Sequence, residues 1–131
     1  LLYLDLDGFK RINDTLGHER GDQVLRQVSS QLKGCLRPYD RLARIGGDEF
    51  TVILDSLGSP AEAASVAQKL VQQISGQAEE GDLSGLGVSI GIACLPTDGS
   101  TVEDLLRAAD TAMYEAKRGG RRQYRFYQAA S

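Results

Sequence analysis

Four carboxylates stand where a folded chain could bring them together. Asp5 and Asp7 end the apolar stretch LLYLDLDG, residues 1–8, and Asp48 and Glu49 follow two glycines in RIGGDEFTVIL, residues 44–54. Oxygen ligands without companion histidine or cysteine suit a hard divalent ion, Mg²⁺ or Mn²⁺, and not zinc. The plainer alternative is a pair of solvated turns, because Asp and Gly are favoured turn residues. Either acidic pair alone fits that alternative; two pairs at strand ends favour a metal. Basic groups are also at hand. Gly8-Phe9-Lys10-Arg11 follows the first acids and opens a helix, so free backbone N–H groups and Lys10 would point at an anion held there. KRGGRR, residues 117–122, ends the last long helix, where cations also simply complement the helix dipole. Metal-binding acids beside basic groups and a helix N-terminus describe a nucleoside-triphosphate site.

The elements that must position these residues can be read from periodicity. Leu2, Leu4 and Leu6 alternate with Tyr3 and Asp5, and Asp7 follows in register, which predicts a strand running into a turn at Asp7-Gly8. A short helix is expected over 9–15 and a longer one over 20–36, with Val24, Val28, Leu32 and Cys35 on one stripe, ended by Pro38. Residues 41–45 and 50–54 read as a hairpin around the glycine-acid turn, the glycines permitting positive φ. Ser59-Pro60-Ala61-Glu62 and Ser100-Thr101-Val102-Glu103 read as capping boxes. They open helices to about residue 75, with Val66, Leu70 and Ile74 inward, and to about Lys117, with Leu105, Leu106, Ala109 and Met113 inward. Between them a glycine-rich loop, 76–87, leads to a strand, VSIGIACL, and QYRFY alternates as a last, edge strand. The order β, α, α, β, β, α, β, α, β implies an α+β fold: a mixed sheet flanked by helices, close to the ferredoxin-like βαββαβ plan.

Composition narrows the function classes. With 131 residues the chain is long enough for one domain with a real core, and 41% apolar with 25% charged residues is ordinary for a globular protein. A formal charge of −3 argues against a DNA- or RNA-binding surface. No apolar run approaches the roughly 18 residues of a membrane span. Cys35 and Cys94 lie far apart with no CxxC, and read as free thiols. Gly85-Leu86-Gly87-Val88 is followed by a strand, not by the helix a dinucleotide fingerprint requires, and no GxxxxGK[ST] is present. His18 is the single histidine, so no two-histidine mechanism is available, and packing in a loop is its default reading.

The segments DLDGFKRINDTLGHERGDQVL, RLARIGGDEF, VSIGIA and ADTAMYEAKRGGR, in this order, resemble the GGDEF family of diguanylate cyclases over nearly the whole chain. The resemblance implies a nucleotide cyclase-like, palm-like fold and a domain that joins two GTP into cyclic di-GMP. Asp5 and Asp48 would bind two Mg²⁺ (or Mn²⁺) ions per active site, with the Leu6 carbonyl assisting. Asn13 and Asp22 would hydrogen-bond the guanine edge. Gly8, Phe9, Lys10, Gly47, Lys117 and Arg121 would line the GTP site and hold its phosphates, with Lys10 also serving catalysis. Glu49 would lie near the attacking 3′-hydroxyl, and Asp48 or a metal-bound hydroxide would help remove its proton. One such site holds one GTP, so a homodimer is implied.

Arg37 and Asp40 match the family's RxxD site for inhibition by its own product, with Lys69 as a further cation; composition alone would make them a solvated helix exit. Residues 1–131 are expected to be a single domain, excised from a larger protein and lacking the helical segment, D-x-L-T-G-L-x-N-R, that usually precedes it. The resemblance implies a cytoplasmic domain with no membrane contact of its own, whose parent protein can be membrane-anchored. The terminal YRFY resembles cyclases fused ahead of an EAL phosphodiesterase domain. The competing readings are a catalytically silent GTP-binding regulatory module and a cyclic di-GMP receptor.

Overall fold

A computed structural model of the chain describes residues 1–55, 57–75 and 85–128. Most of the glycine-rich loop expected at 76–87 therefore lies outside the described residues. Nine elements follow the expected order: β1 (Leu2–Asp7), α1 (Phe9–Leu16), α2 (His18–Gly34), β2 (Arg41–Gly46), β3 (Glu49–Ile53), α3 (Pro60–Ser75), β4 (Gly87–Ile92), α4 (Val102–Arg118) and β5 (Tyr124–Phe126). The sheet runs β2-β3-β1-β4-β5. β1 is antiparallel to both β3 and β4, and β5 adds to β4 in parallel. Without β5 this is the ferredoxin-like order, so the expected fold class holds.

Side-chain alternation divides the core. Leu2, Leu4 and Leu6 project to one face with Phe50, Val52, Val88, Ile90 and Ile92, where they meet Phe9, Ile12, Val24, Val28, Leu32, Leu70 and Ile74 from α1, α2 and α3. The other face carries a smaller cluster of Ala93, Leu105, Ala108 and Ala109, joined by Tyr3 and Tyr127. There α4 lies almost on the strand backbone. A Cβ on Gly91 would stand 1.9 Å from the Ala109 carbonyl oxygen and 2.2 Å from the Met113 nitrogen. Only a glycine permits that approach.

The close approach explains where the expected helix faces need correction. Buried contacts of α4 are made by the small residues Ala108, Ala109, Ala112 and Ala116 together with Leu105 and Met113, while Leu106 is only half-buried. In α3, likewise, Ala63 and Ala67 take the innermost places and Val66 is half-buried. Both capping boxes are also shifted. Glu62 accepts from the Gly58 N–H at 2.8 Å, not from Ser59. The cap of α4 is Thr101, whose Oγ1 accepts from the Asp104 N–H at 3.1 Å, one residue later than expected. Helix α2 starts at His18 and stops at Gly34, where Cys35 donates to the Leu32 carbonyl and Leu36 to the Lys33 carbonyl in a tightened last turn. Both cysteines are free and half-buried. No helix among the described residues is long and apolar enough to cross a membrane.

Candidate functional site

The acids meet because of sheet order and register. β1 pairs with β3 so that Asp5 stands directly opposite Glu49. Gly46 pairs with Glu49, leaving Gly47-Asp48 as a two-residue turn, so Gly46 and Glu49 are strand residues and not part of the tip. Of the two glycines only Gly47 has a positive φ, +35°. A bulge between Arg44 and Gly46 twists the strand toward this end. The Leu6 N–H donates to the Asp48 carbonyl at 3.1 Å, tying the hairpin tip to the end of β1. As a result, carboxylate oxygens of Asp5, Asp48 and Glu49 all lie within 4.8 Å of one another, on half-buried side chains.

Crowding shows in the electrostatics. Burial, with the neighbouring charges of Asp48 and Glu49, raises the Asp5 carboxyl to about 6 against the opposing pull of Lys117. Asp110, across on α4, is also raised, by burial and by the charge of Glu49. A half-buried set of acids that repel one another is a fitting seat for a hard divalent cation, and every ligand atom offered is oxygen.

The four-carboxylate expectation needs correction at Asp7, which does not join the three acids that meet and instead organises the basic arm. Asp7 is 2% exposed. It accepts from the Ser89 hydroxyl at 2.7 Å, from Lys117 Nζ at 3.1 Å and from the Arg122 N–H at 3.0 Å. Lys117 Nζ also reaches Asp5 Oδ1 at 3.1 Å and the Leu6 carbonyl at 3.4 Å. Lys117 therefore folds onto the acids and does more than neutralise the end of α4. Arg121 and Arg122 both adopt left-handed backbone, φ 64° and 51°. The Arg121 N–H donates to the Ala116 carbonyl at 3.0 Å, and the guanidinium Nε lies 4.0 Å from Asp7 with its side chain 60% exposed. The signal for Asp7 was present in the alternation, which puts it on the same face as Tyr3 and Asp5.

The remaining candidates fall into three places. Gly8 caps α1, its carbonyl accepting from the Ile12 N–H at 3.2 Å, and Lys10 is exposed on the first turn. Phe9 is buried in the core, so what it offers an anion is its backbone N–H and not its ring. At the α1–α2 corner, Asn13 Oδ1 lies 2.1 Å from where a Cβ on Gly21 would stand, which brings exposed Asp22 next to that contact. His18 turns a ring nitrogen to Asn13 Nδ2 at 3.2 Å, orienting that amide.

Arg37 and Asp40 lie elsewhere, at the exit of α2, and are bonded to each other. Arg37 donates from Nε and Nη2 to the two carboxylate oxygens at 3.0 and 2.9 Å, and its N–H adds a third bond at 2.9 Å. Nη2 also donates to the Asp55 carbonyl at 2.9 Å, and the guanidinium stacks 4.5 Å above the Tyr39 ring. Lys69 is exposed on α3, and no contact joins it to either residue among the described residues.

Comparison with known proteins points the same way. Residues 1–123 match the family model described as diguanylate cyclase, GGDEF domain. The chain is 42% identical over 132 residues to MucR, the bifunctional diguanylate cyclase/cyclic di-GMP phosphodiesterase of Pseudomonas aeruginosa, covering 99% of this chain and 19% of MucR. It is 42% identical over 123 residues to the diguanylate cyclase TpbB of Pseudomonas aeruginosa, covering 92% of this chain and 28% of TpbB. The chain thus spans less than a third of the length of these curated relatives. The solved GGDEF domain of TpbB matches it with a TM-score of 0.88 at 42% identity, covering 97% of this chain and 75% of that one. The GGDEF domain of DgcB from Caulobacter crescentus, solved in complex with c-di-GMP, matches with a TM-score of 0.82 at 33% identity, covering 95% and 75%. By sequence and by fold, this chain belongs to the GGDEF domain family of diguanylate cyclases.

Proposed function

We propose that this domain is an active diguanylate cyclase. It takes two GTP molecules, one on each of two domains facing one another, and releases cyclic di-GMP and two pyrophosphates. In each half-reaction a 3′-hydroxyl oxygen forms a bond to the α-phosphorus of the other GTP, the bond to pyrophosphate breaks, and the hydroxyl proton leaves to a base. The observation that carries this reading is the meeting of Asp5, Asp48 and Glu49 within 4.8 Å.

Asp5, Asp48 and the Leu6 carbonyl would hold Mg²⁺ or Mn²⁺, with the Glu49 carboxylate adding its charge to the same seat. When bound, such ions lower the hydroxyl's pKa and neutralise charge on the leaving pyrophosphate. The chain's own groups do the rest. Asp48 and Glu49 lie nearest the nucleophile, with Asp48 accepting its proton. Asn13 and Asp22 read the guanine edge, where a carboxylate matches guanine's paired N–H donors and rejects adenine. The N–H groups opening α1, with Gly8, Lys10 and Gly47, face the phosphates. Lys117 and Arg121 approach from the other side, Lys117 exchanging its bond to Asp5 for a phosphate oxygen. Arg37 and Asp40 would bind cyclic di-GMP outside this site and inhibit synthesis, a forked guanidinium suiting guanine or phosphate; the DgcB complex supports product binding by this family.

A regulatory reading is favoured by one observation, the 41% identity over 128 residues (97% of this chain, 16% of the relative) to NbdA of Pseudomonas aeruginosa, whose name gives cyclic di-GMP phosphodiesterase activity alone. Incubating the purified chain with GTP and Mg²⁺ and separating the products by chromatography decides between them. Cyclic di-GMP supports the cyclase. GTP binding without product supports the silent module, and product binding without GTP binding supports a receptor.

A further inference from the structure

Tyr3 belongs to none of the roles above, and its position on the central strand is informative. Its register partners are Thr51 on β3 and Gly91 on β4. Over Gly91 the backbone of α4 occupies the space a side chain would fill. The ring packs on the small cluster of Ala93, Leu105, Ala108 and Ala109, and the hydroxyl is delivered diagonally to β3, where it donates to Oε2 of Glu49. Diagonal neighbours on one sheet face are about 7–8 Å apart, a span an aromatic side chain covers. Among the described residues Tyr3 is the hydrogen-bond donor that the Glu49 side chain has. Asp5, Asp48 and Asp110 all surround Glu49 with negative charge, which would turn an untethered carboxylate out to solvent.

We propose that Tyr3 is a positioning residue: its hydroxyl fixes the Glu49 carboxylate so that one oxygen is tied and the other is presented beside Asp5 and Asp48. The proposal rests on the roles given to these acids under the cyclase reading. Tyr3 touches neither substrate nor metal, and acts only through Glu49.

A double-mutant cycle tests it with a readout that does not need turnover. Tyr3→Phe keeps the ring on its cluster and removes the donor; Tyr3→Leu removes both. Mn²⁺ binding is measured by electron paramagnetic resonance for wild type, Tyr3→Phe, Glu49→Ala and the double variant, alongside kcat, KM for GTP and melting temperature. Groups that orient a ligand typically matter about 10–100-fold. Tyr3→Phe is therefore expected to weaken Mn²⁺ binding about tenfold and to lower kcat by a similar factor. Its KM and melting temperature should stay at wild-type values, and it should have no further effect on Mn²⁺ in the Glu49→Ala background, which leaves the hydroxyl no acceptor at that position. Equal losses from Tyr3→Phe with and without Glu49 would overturn the proposal. So would wild-type Mn²⁺ binding and kcat in Tyr3→Phe with defects confined to Tyr3→Leu, the pattern of a packing residue, or no Mn²⁺ binding by the wild type. If the cycle couples as expected but no variant makes cyclic di-GMP, the cyclase reading fails and the positioning of Glu49 stands.

Discussion

Asp5 and Asp40 are both aspartates beside a cation, and their surroundings treat the charge in opposite ways. At the exit of α2, Asp40 is held below the usual carboxylate range by the forked hydrogen bonds of Arg37. Its side chain is 1% exposed, and the pair satisfies itself. At the end of β1, Asp5 has Lys117 at 3.1 Å, yet burial and two further carboxylates push it up to about 6. The first arrangement shapes a turn of chain. The second carries uncompensated negative charge, which a fold keeps only where a further cation or a reaction repays it. One small domain thus holds the same residue types as a closed ion pair in one place and as an open, charge-crowded cluster in another.

Removing one acid from each region should break the symmetry most visibly. Asp48→Ala is expected to lower cyclic di-GMP formation at least about a hundredfold, the scale of losing one preorganised charge-stabilising group. Its melting temperature should hold, because a turn acid supports no core. Asp40→Ala should do the reverse, lowering the melting temperature while initial turnover persists. Product chromatography and thermal melts on both variants check this.

The next effect belongs to the nucleotide end. Asp22→Asn replaces a charged acceptor, whose hydrogen bonds are worth about 1.5–3 kcal/mol, so GTP affinity should fall about tenfold to a hundredfold. Unchanged affinity by calorimetry would remove Asp22 from the guanine pocket.

Smaller shifts read the two electrostatic environments directly. The folded Asp5 carboxyl titrates near 6 and the unfolded one near 3.8. Between these values the folded protein keeps a proton that the unfolded chain releases, so stability falls as pH rises from about 3.8 to about 6 and the loss is constant above that. Metal-free Asp5→Asn should therefore melt higher than wild type at pH 7.5 and equally at pH 3.5. Mg²⁺ should raise the melting temperature of wild type but not of this variant. Asp40 has the opposite sign: its stabilisation is complete above its unfolded value and is lost as pH falls through the lower folded one. Arg37→Ala should destabilise fully at neutral pH and progressively less as pH falls below about 4. The same variant should prolong the linear phase of synthesis without changing KM for GTP, and unchanged curvature in its progress curves would confine Arg37 to the helix exit.

Much of the site was legible because a strand has a period of two. The alternation in LLYLDLDG already placed Tyr3, Asp5 and Asp7 on one face, and the hairpin glycines marked where Asp48 must turn. What periodicity does not carry is reach. Lys117 closes on Asp7 across 110 positions, and a lysine at a helix end equally satisfies the dipole, so its target needed the packed structure. Gly91 gave no turn signal; it is explained only by the α4 backbone above it. At α4 the cap moved from Ser100 to Thr101 because either neighbouring hydroxyl can accept from a first-turn N–H. Phe9 reads as a ligand contact within its motif, whereas its ring is core.

The central claim is that Asp5 and Asp48 seat the metal for chemistry on GTP. Crystals grown with Mn²⁺ and a GTP analogue lacking the 3′-hydroxyl would locate the ions by anomalous scattering. The account predicts Mn²⁺ against Asp5, the Leu6 carbonyl and Asp48, with Lys117 turned from Asp5 to a phosphate oxygen. Nucleotide bound with Mn²⁺ away from these acids, and Lys117 still bridging Asp5 and Asp7, would contradict it.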